Sequence, residues 1–251
     1  YADAPDNSYY SLHVIFYIES YIANDNQVKY MAGLGDMYRL NWSFVENINK
    51  EISPYLKKIT DSLISGIDNK EERAKRIYKW VQQNIKYVAF EEGMGGFIPR
   101  EASLVCNRRF GDCKDMSSIL TVMLNHAAVP AYYTWIGTRS LPYDYTEVHL
   151  PITDNHMITT VRLNDKFVFL DGTDSYCIFG APSGHIQGKQ ALIAISKEKY
   201  EVARVPEYEK GNNLYIDTTI LELNEKGLTG NIRLKLSGYL AMDMNRKMNY
   251  I

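Results

Sequence analysis

The sequence has 251 residues, 45% hydrophobic and 23% charged, an ordinary globular composition that suffices for one large domain or one core with flanking pieces. Its formal net charge of −2 offers no basic surface for nucleic acid or another polyanion. No apolar run reaches the length of a membrane span, and no signal peptide is visible. The chain opens at Tyr1 rather than Met and stops at Met248-Asn249-Tyr250-Ile251 without an end signal, so a piece of a longer protein is expected.

Residues 1–40 carry apolar stretches such as Leu12-His13-Val14-Ile15-Phe16-Tyr17-Ile18 that read as strand. Residues 41–66 read as helical, with Ser53-Pro54 fitting an N-cap followed by proline at the first helical position, and Gly66 as the stop. The next helix is the clearest. Asp68 and Glu71 give a capping-box-like start, and Ala74, Ile77, Tyr78, Val81 and Ile85 share one face. The glycine-rich stretch Gly93 to Pro99 lacks the spacing of a phosphate cradle and reads as a loop near a cleft. A third helix begins at Asp112 or Cys113, with Met116, Ile119, Leu120, Met123 and Leu124 as a buried stripe.

Beyond Pro130 the period changes to two. Ala131 to Ile136 reads as a strand, Met157 to Leu163 and Phe167 to Leu170 as a hairpin, and Ala191 to Ile195 as another short strand. A second hairpin is expected from Ile216 to Leu223 and Leu228 to Leu236, joined around Asn224-Glu225-Lys226-Gly227. The polar stretch Lys197 to Asn213 reads as a separator, and the turn Ser140 to Thr146, with Tyr143 and Tyr145, as a border of the cleft. Helices first and strands later imply an α+β architecture. The 20 tyrosines fit strands and core edges more readily than a dedicated peptide- or sugar-binding face.

Three cysteines, Cys106, Cys113 and Cys177, leave at least one thiol free, and none forms a C-x-x-C pair. Cys113 stands in Gly111-Asp112-Cys113-Lys114-Asp115 at a helix start, where free amides and the helix dipole favour a thiolate and can donate to an oxyanion. Asp112 and Asp115 oppose the thiolate by charge, and Lys114 favours it. Such a nucleophile needs a base. Of the five histidines, His126 ends the cysteine's own helix, too far away to serve, and His13, His149 and His185 are weaker candidates. His156 heads a strand, where its side chain can project into a cleft. If the strands either side of residue 165 pair as a hairpin, Asp171 comes nearly opposite His156 and can orient its imidazole.

These residues resemble the transglutaminase-like branch of papain-like cysteine enzymes. The resemblance rests on Gly-Asp-Cys-Lys-Asp at 111–115, Asn155-His156-Met157, Leu170-Asp171-Gly172-Thr173, and the upstream helix with Tyr78, Trp80-Val81 and Ile85-Lys86-Tyr87. It covers about residues 68–195. It implies a cysteine-bearing helix packed on an antiparallel sheet, with Cys113 as nucleophile, His156 as base and Asp171 as orienter, and acyl transfer through a thioester. The similar subgroup is bacterial, with β domains on both sides. On that basis residues 1–45 are expected as the tail of an N-terminal β domain, 46–204 as the core, and 205–251 as the start of a C-terminal β domain. The resemblance further implies a hydrolase or peptidase more than a cross-linking enzyme, a peptide or protein substrate such as cell-envelope material, no cofactor, and a periplasmic or cell-surface location. Two other readings are a catalytically silent peptide- or glycan-binding module on the same fold, and a zinc site built from Cys113, His156 and Asp171, for which no further metal-ligand spacing is present. No side-chain oxyanion donor stands out among Trp80, Gln82, Gln83 and Phe97.

Overall fold

A computed structural model describes residues 7–90, 93–225 and 227–248. Tyr1 and Asn249 to Ile251, on which the expectation of a longer protein partly rests, and Lys226 of the second hairpin turn lie outside the described residues. In chain order, a small hairpin, β1 (Ser20–Ala23) and β2 (Asn26–Lys29), precedes three helices: α1 (Leu34–Val45), α2 (Pro54–Ile64) and α3 (Lys70–Asn84). Two short strands, β3 (Lys86–Tyr87) and β4 (Phe110–Gly111), flank helix α4 (Ala102–Arg108). Helix α5 (Cys113–His126) leads into the main strands β5 (Ala131–Ile136), β6 (His156–Leu163), β7 (Lys166–Leu170), β8 (Gln190–Ser196) and β9 (Lys199–Arg204). A long hairpin, β10 (Tyr215–Asn224) and β11 (Gly227–Leu236), and helix α6 (Gly238–Met248) follow.

The main sheet has five antiparallel strands in the order β7-β6-β5-β8-β9. Helix α5 lies on it. Its stripe of Met116, Ile119, Leu120, Met123 and Leu124 packs with Ala74, Ile77 and Val81 of α3 and with Val161, Leu163 and Leu170 of the sheet. A second core joins Met37, Tyr38 and Val45 of α1 to Cys113, Trp135 and Met157. A third covers the strand residues Ile136, Ile158, Phe169 and Ile193 with Ile186 and Val205. This is the α+β arrangement expected.

Local chemistry accounts for most boundaries. Ser53 accepts from the Leu56 amide with Pro54 at the first helical position, and Gly66 follows α2 with φ +71°. The α3 cap is Asn69, which accepts from the Glu72 amide, one residue later than the Asp68–Glu71 pair expected. The β6–β7 turn places Asn164 and Asp165 at φ 49° and 60°, the positive values a tight two-residue hairpin needs.

Five elements differ from expectation. Residues 34–45 are helical rather than part of a β tail, because Met37, Asn41 and Val45, four apart, bury one side of α1. Residues Leu12 to Ile18 form no strand, and the strand is Ser20–Ala23 instead. Lys199–Arg204, read as part of a polar separator, is the edge strand of the main sheet. Helices α4 and α6 were not anticipated.

The β10–β11 register puts Leu221, Leu223, Leu228, Ile232 and Leu234 on one side of the hairpin, with Glu222, Lys235, Arg233 and Asn231 on the other. All five of those apolar side chains are exposed. Among the described residues, no helix is long and apolar enough to cross a membrane.

Candidate active site

Cys113 is the first residue of α5, and the sequence before it fixes that start tightly. Asp112 is the N-cap and accepts from the amides of Lys114 and Asp115, at 3.0 and 3.3 Å, while Asp115 accepts from the Asp112 amide at 3.2 Å. This is a full capping box. Gly111 is required by close approach, since a Cβ there would sit 2.4 Å from Cβ of Asp115. The two carboxylates do not act on the thiol as free charges. The Lys114 ammonium lies 2.8 Å from Asp112, and the Arg100 guanidinium lies 2.5 Å from Asp115 and 3.8 Å from Asp112. Arg100 also donates its backbone amide to Asp115 at 2.8 Å. The expected opposition of Asp112 and Asp115 to a thiolate is therefore largely balanced within the turn.

The cap also changes the expected oxyanion donors. Because Asp112 takes the amides of Lys114 and Asp115, the Cys113 amide is the first-turn donor left without an intrahelical acceptor. Gln82 donates to the carbonyls of Asp174 and Cys177, holding a loop instead of the site. Phe97 does line the pocket, and so do Gly93 and Gly96 of the glycine-rich loop.

His156 opens β6, and the Ser117 hydroxyl, one turn along α5 from the cysteine, donates to the Ile158 carbonyl at 2.8 Å. That bond draws the helix start and the strand start together. The hairpin register pairs Thr159 with Leu170, so Asp171 comes opposite Ile158, and His156 lies on its diagonal on the same side of the sheet. His156 Nε2 donates to Asp171 Oδ2 at 3.0 Å, and the ring shares the pocket wall with the Cys113 side chain, which adds to the pull toward the charged imidazole. With Nε2 committed to Asp171, Nδ1 is the nitrogen that serves the sulfur. All three sequence-predicted residues are thus brought together.

The electrostatics favour a charged imidazole. Burial alone would lower the His156 pKa. The Asp171 charge and hydrogen bond, with a further contribution from Cys113, outweigh it and raise the value to about 10. Burial would raise the Asp171 carboxyl, but His156, and then His185, hold it well below the usual range. Asp171 is also positioned by Ser183, which donates to Oδ2 at 2.6 Å, and by Thr173, whose amide and hydroxyl donate to Oδ1 at 3.0 and 2.7 Å. Tyr78 of α3 donates to the Asp171 carbonyl at 2.6 Å.

Several contributors were missed from sequence. His185 brings Nε2 to 3.3 Å from Asp171 Oδ2, with its ring 5.1 Å from that of His156. Its loop position gave no periodic signal. His156, Asp171 and His185 place ligand-capable atoms within 4.8 Å of one another, a different trio from the cysteine-containing one considered above. The shared Asp171 oxygens also accept three hydrogen bonds from outside this trio, so the contacts are those of an oriented carboxylate. The remaining histidines lie elsewhere: His13 meets Tyr143, His126 meets Asp61, and His149 lines a separate pocket. Tyr145 does not border the cleft; it is fully buried behind Asp154, to which it donates at 2.9 Å.

Cys113 and His156 open into a pocket of about 350 Å³ with walls from Leu40, Phe44, Phe97, Trp135 and Met157. Asn41, Asp154 and Asn155 add polar groups.

Comparison with known proteins bears on the fold of this core. No curated protein matches the sequence. A solved structure of a candidate protease from Parabacteroides distasonis is similar in fold, with a TM-score of 0.52 at 13% identity over 68% of this chain and 31% of that one. A candidate cysteine protease from Cytophaga hutchinsonii is 15% identical over 70% of this chain and 58% of that one, at a TM-score of 0.37 that carries no structural weight. The chain thus spans less than two thirds of either protein. The family model of the transglutaminase-like superfamily matches residues 57–172, a stretch that takes in Cys113, His156 and Asp171 and is similar to that superfamily.

Proposed function

We propose that the protein is a cysteine-dependent acyl-transfer enzyme that cleaves peptide or amide bonds, with Cys113 as nucleophile, His156 as general acid and base, and Asp171 as orienter. The observation that carries this reading is the convergence on one open pocket of Cys113 and of the His156 ring, itself hydrogen-bonded to the buried Asp171 carboxylate. The thiolate attacks the substrate carbonyl, and the Cys113 amide is placed to receive the developing oxyanion. His156 gives its proton to the departing amine as the C–N bond breaks, leaving a thioester. It then takes a proton from water, whose oxygen attacks the thioester, and the C–S bond breaks to release the carboxylic acid and restore the Cys113 thiolate beside the charged imidazole. An amine in place of water would give transamidation. Hydrolysis is favoured here because the fold is shared with a candidate protease.

The substrate in this reading is a peptide or protein, such as cell-envelope material, met in the periplasm or at the cell surface. On either side of the core at 46–204 lie a β1–β2 hairpin with α1 and a β10–β11 hairpin with α6. Two measurements test the proposal. Iodoacetamide should modify Cys113 at neutral pH well ahead of Cys106 and Cys177, and a quenched peptide library should be cleaved by the wild type but not by Cys113→Ala. Equal labelling of the three thiols with no cleavage would leave the fold as a binding module. Incorporation of a fluorescent primary amine would redirect the assignment to cross-linking.

A further inference from the structure

The pocket at Cys113 holds a carboxylate with no countercharge. Asp154 lines it two residues before His156, half-buried. Its Oδ2 accepts from the Tyr145 hydroxyl at 2.9 Å, and among the described residues no lysine, arginine or histidine forms an ion pair with it. The other charged groups of the pocket are already matched. The Lys114 ammonium lies 2.8 Å from Asp112, and His156 is paired with Asp171. Asn41 lines the same wall, and its buried amide nitrogen makes no completed hydrogen bond. Carboxylates drawn out of water are ordinarily paired. One left unpaired inside a pocket, beside a reacting thiol, fits a ligand that brings the missing cation.

We infer that Asp154 is the recognition point for a primary ammonium group on the substrate or acceptor, its apolar stem lying against Phe44, Phe97, Trp135 and Met157. The aromatic walls suit such a group, since ring faces also attract cations. Burial, which the Tyr145 hydroxyl only partly offsets, pushes the Asp154 carboxyl up to about 7, so recognition is strongest above neutrality and fades in acid. Tyr145 is held well above the ordinary tyrosine range and stays a neutral donor throughout. The ammonium has two sources, the free N-terminus of a peptide or a lysine side chain, and both use the same contact.

The inference rests on the reading of Cys113 as the reactive thiol, and the experiment separates the two. Purified protein is treated with methanethiosulfonates carrying an aminoethyl, a methyl or a sulfonatoethyl group, and modification of Cys113 is followed by peptide mass spectrometry. The rate with the neutral methyl reagent, compared with Cys106 and Cys177, tests the nucleophile alone. The ratio of aminoethyl to methyl rates tests Asp154. It should fall about tenfold in Asp154→Asn, the size of one partly screened charge contact. In the wild type it should also fall between pH 7.5 and 5.5, an arm that needs no variant to fold. Protection of Cys113 by a dipeptide amide with a free N-terminus, or by Nα-acetyl-lysine amide, assigns the source. A ratio that is the same in both proteins, a ratio indifferent to pH, or an anionic reagent as fast as the cationic one overturns the inference.

Discussion

Replacing Gly111 with alanine should damage both the stability of the protein and the aim of its thiol. The added Cβ would lie 2.4 Å from Asp115 Cβ and 2.8 Å from its Oδ2, far inside van der Waals contact. Asp115 cannot simply turn away. It is held by the Arg100 amide at 2.8 Å, the Arg100 guanidinium at 2.5 Å and the Asp112 amide at 3.2 Å. Either this network opens or the backbone before Cys113 shifts. Loss of the cap costs about 1 kcal/mol, and forcing a methyl into a filled site costs about 1–3 kcal/mol. The reduced entropy of the unfolded chain returns less than about 1 kcal/mol. The net expectation is a destabilisation of about 2–3 kcal/mol, or roughly 4–12 °C in Tm for a domain of this size. Thermal denaturation followed by circular dichroism reads the first effect, and the iodoacetamide rate at Cys113 reads the second. A variant that melts within 2 °C of the wild type and labels at the wild-type rate would refute the argument that the capping turn sets the position of the sulfur.

Asp171→Asn keeps the size of the side chain but removes the charge that holds His156 protonated, so Cys113 alkylation at pH 7 should slow by about a hundredfold or more. An unchanged rate would show that the carboxylate does not matter to the pair. The pH dependence has a definite sign. His156, raised to about 10, contributes stability in full below its unfolded pKa near 6.5, and that contribution is lost as pH rises through 10. Asp171, held low, contributes above its unfolded pKa near 3.9 and loses this as pH falls below it. Urea midpoints at pH 8 and 10.5 should therefore differ more in the wild type than in His156→Gln, and equal differences would count against the charged imidazole. Leu120→Ala removes a fully buried side chain from α5, and chemical denaturation should show a loss of about 2–5 kcal/mol. A Cβ on Gly172 would meet Leu120 at 3.0 Å, so the cavity also loosens the strand end that carries Asp171.

The site was readable where one local rule determined the geometry. The hairpin register followed from a turn at residues 164–165, and that register alone brings Asp171 beside His156. The start of α5 followed from a capping sequence and a stripe. Elements without such rules were missed. Helix α4 has seven residues, too few to express a period. Strand β9 alternates Tyr200 and Val202 with charged residues, as an edge strand can, and so resembled a linker. In α1 the polar Asn41 interrupts the apolar face because that position belongs to the pocket. His185 and Ser183 reach Asp171 from a loop, and the neutralisation of Asp112 and Asp115 depends on Arg100 arriving from before α4. These are tertiary placements with no local trace.

The β10–β11 hairpin has its own consequence for cooperativity. A two-stranded ribbon is marginal in water, and this one exposes its row of Leu221, Leu223, Leu228, Ile232 and Leu234 instead of burying it in the α5 core. It draws little from the packing that stabilises α5 and β6. Hydrogen exchange in β10 and β11 should then follow local opening while amides of α5 and β6 wait for global unfolding, and anything that covers the leucine row would join the two into one cooperative unit.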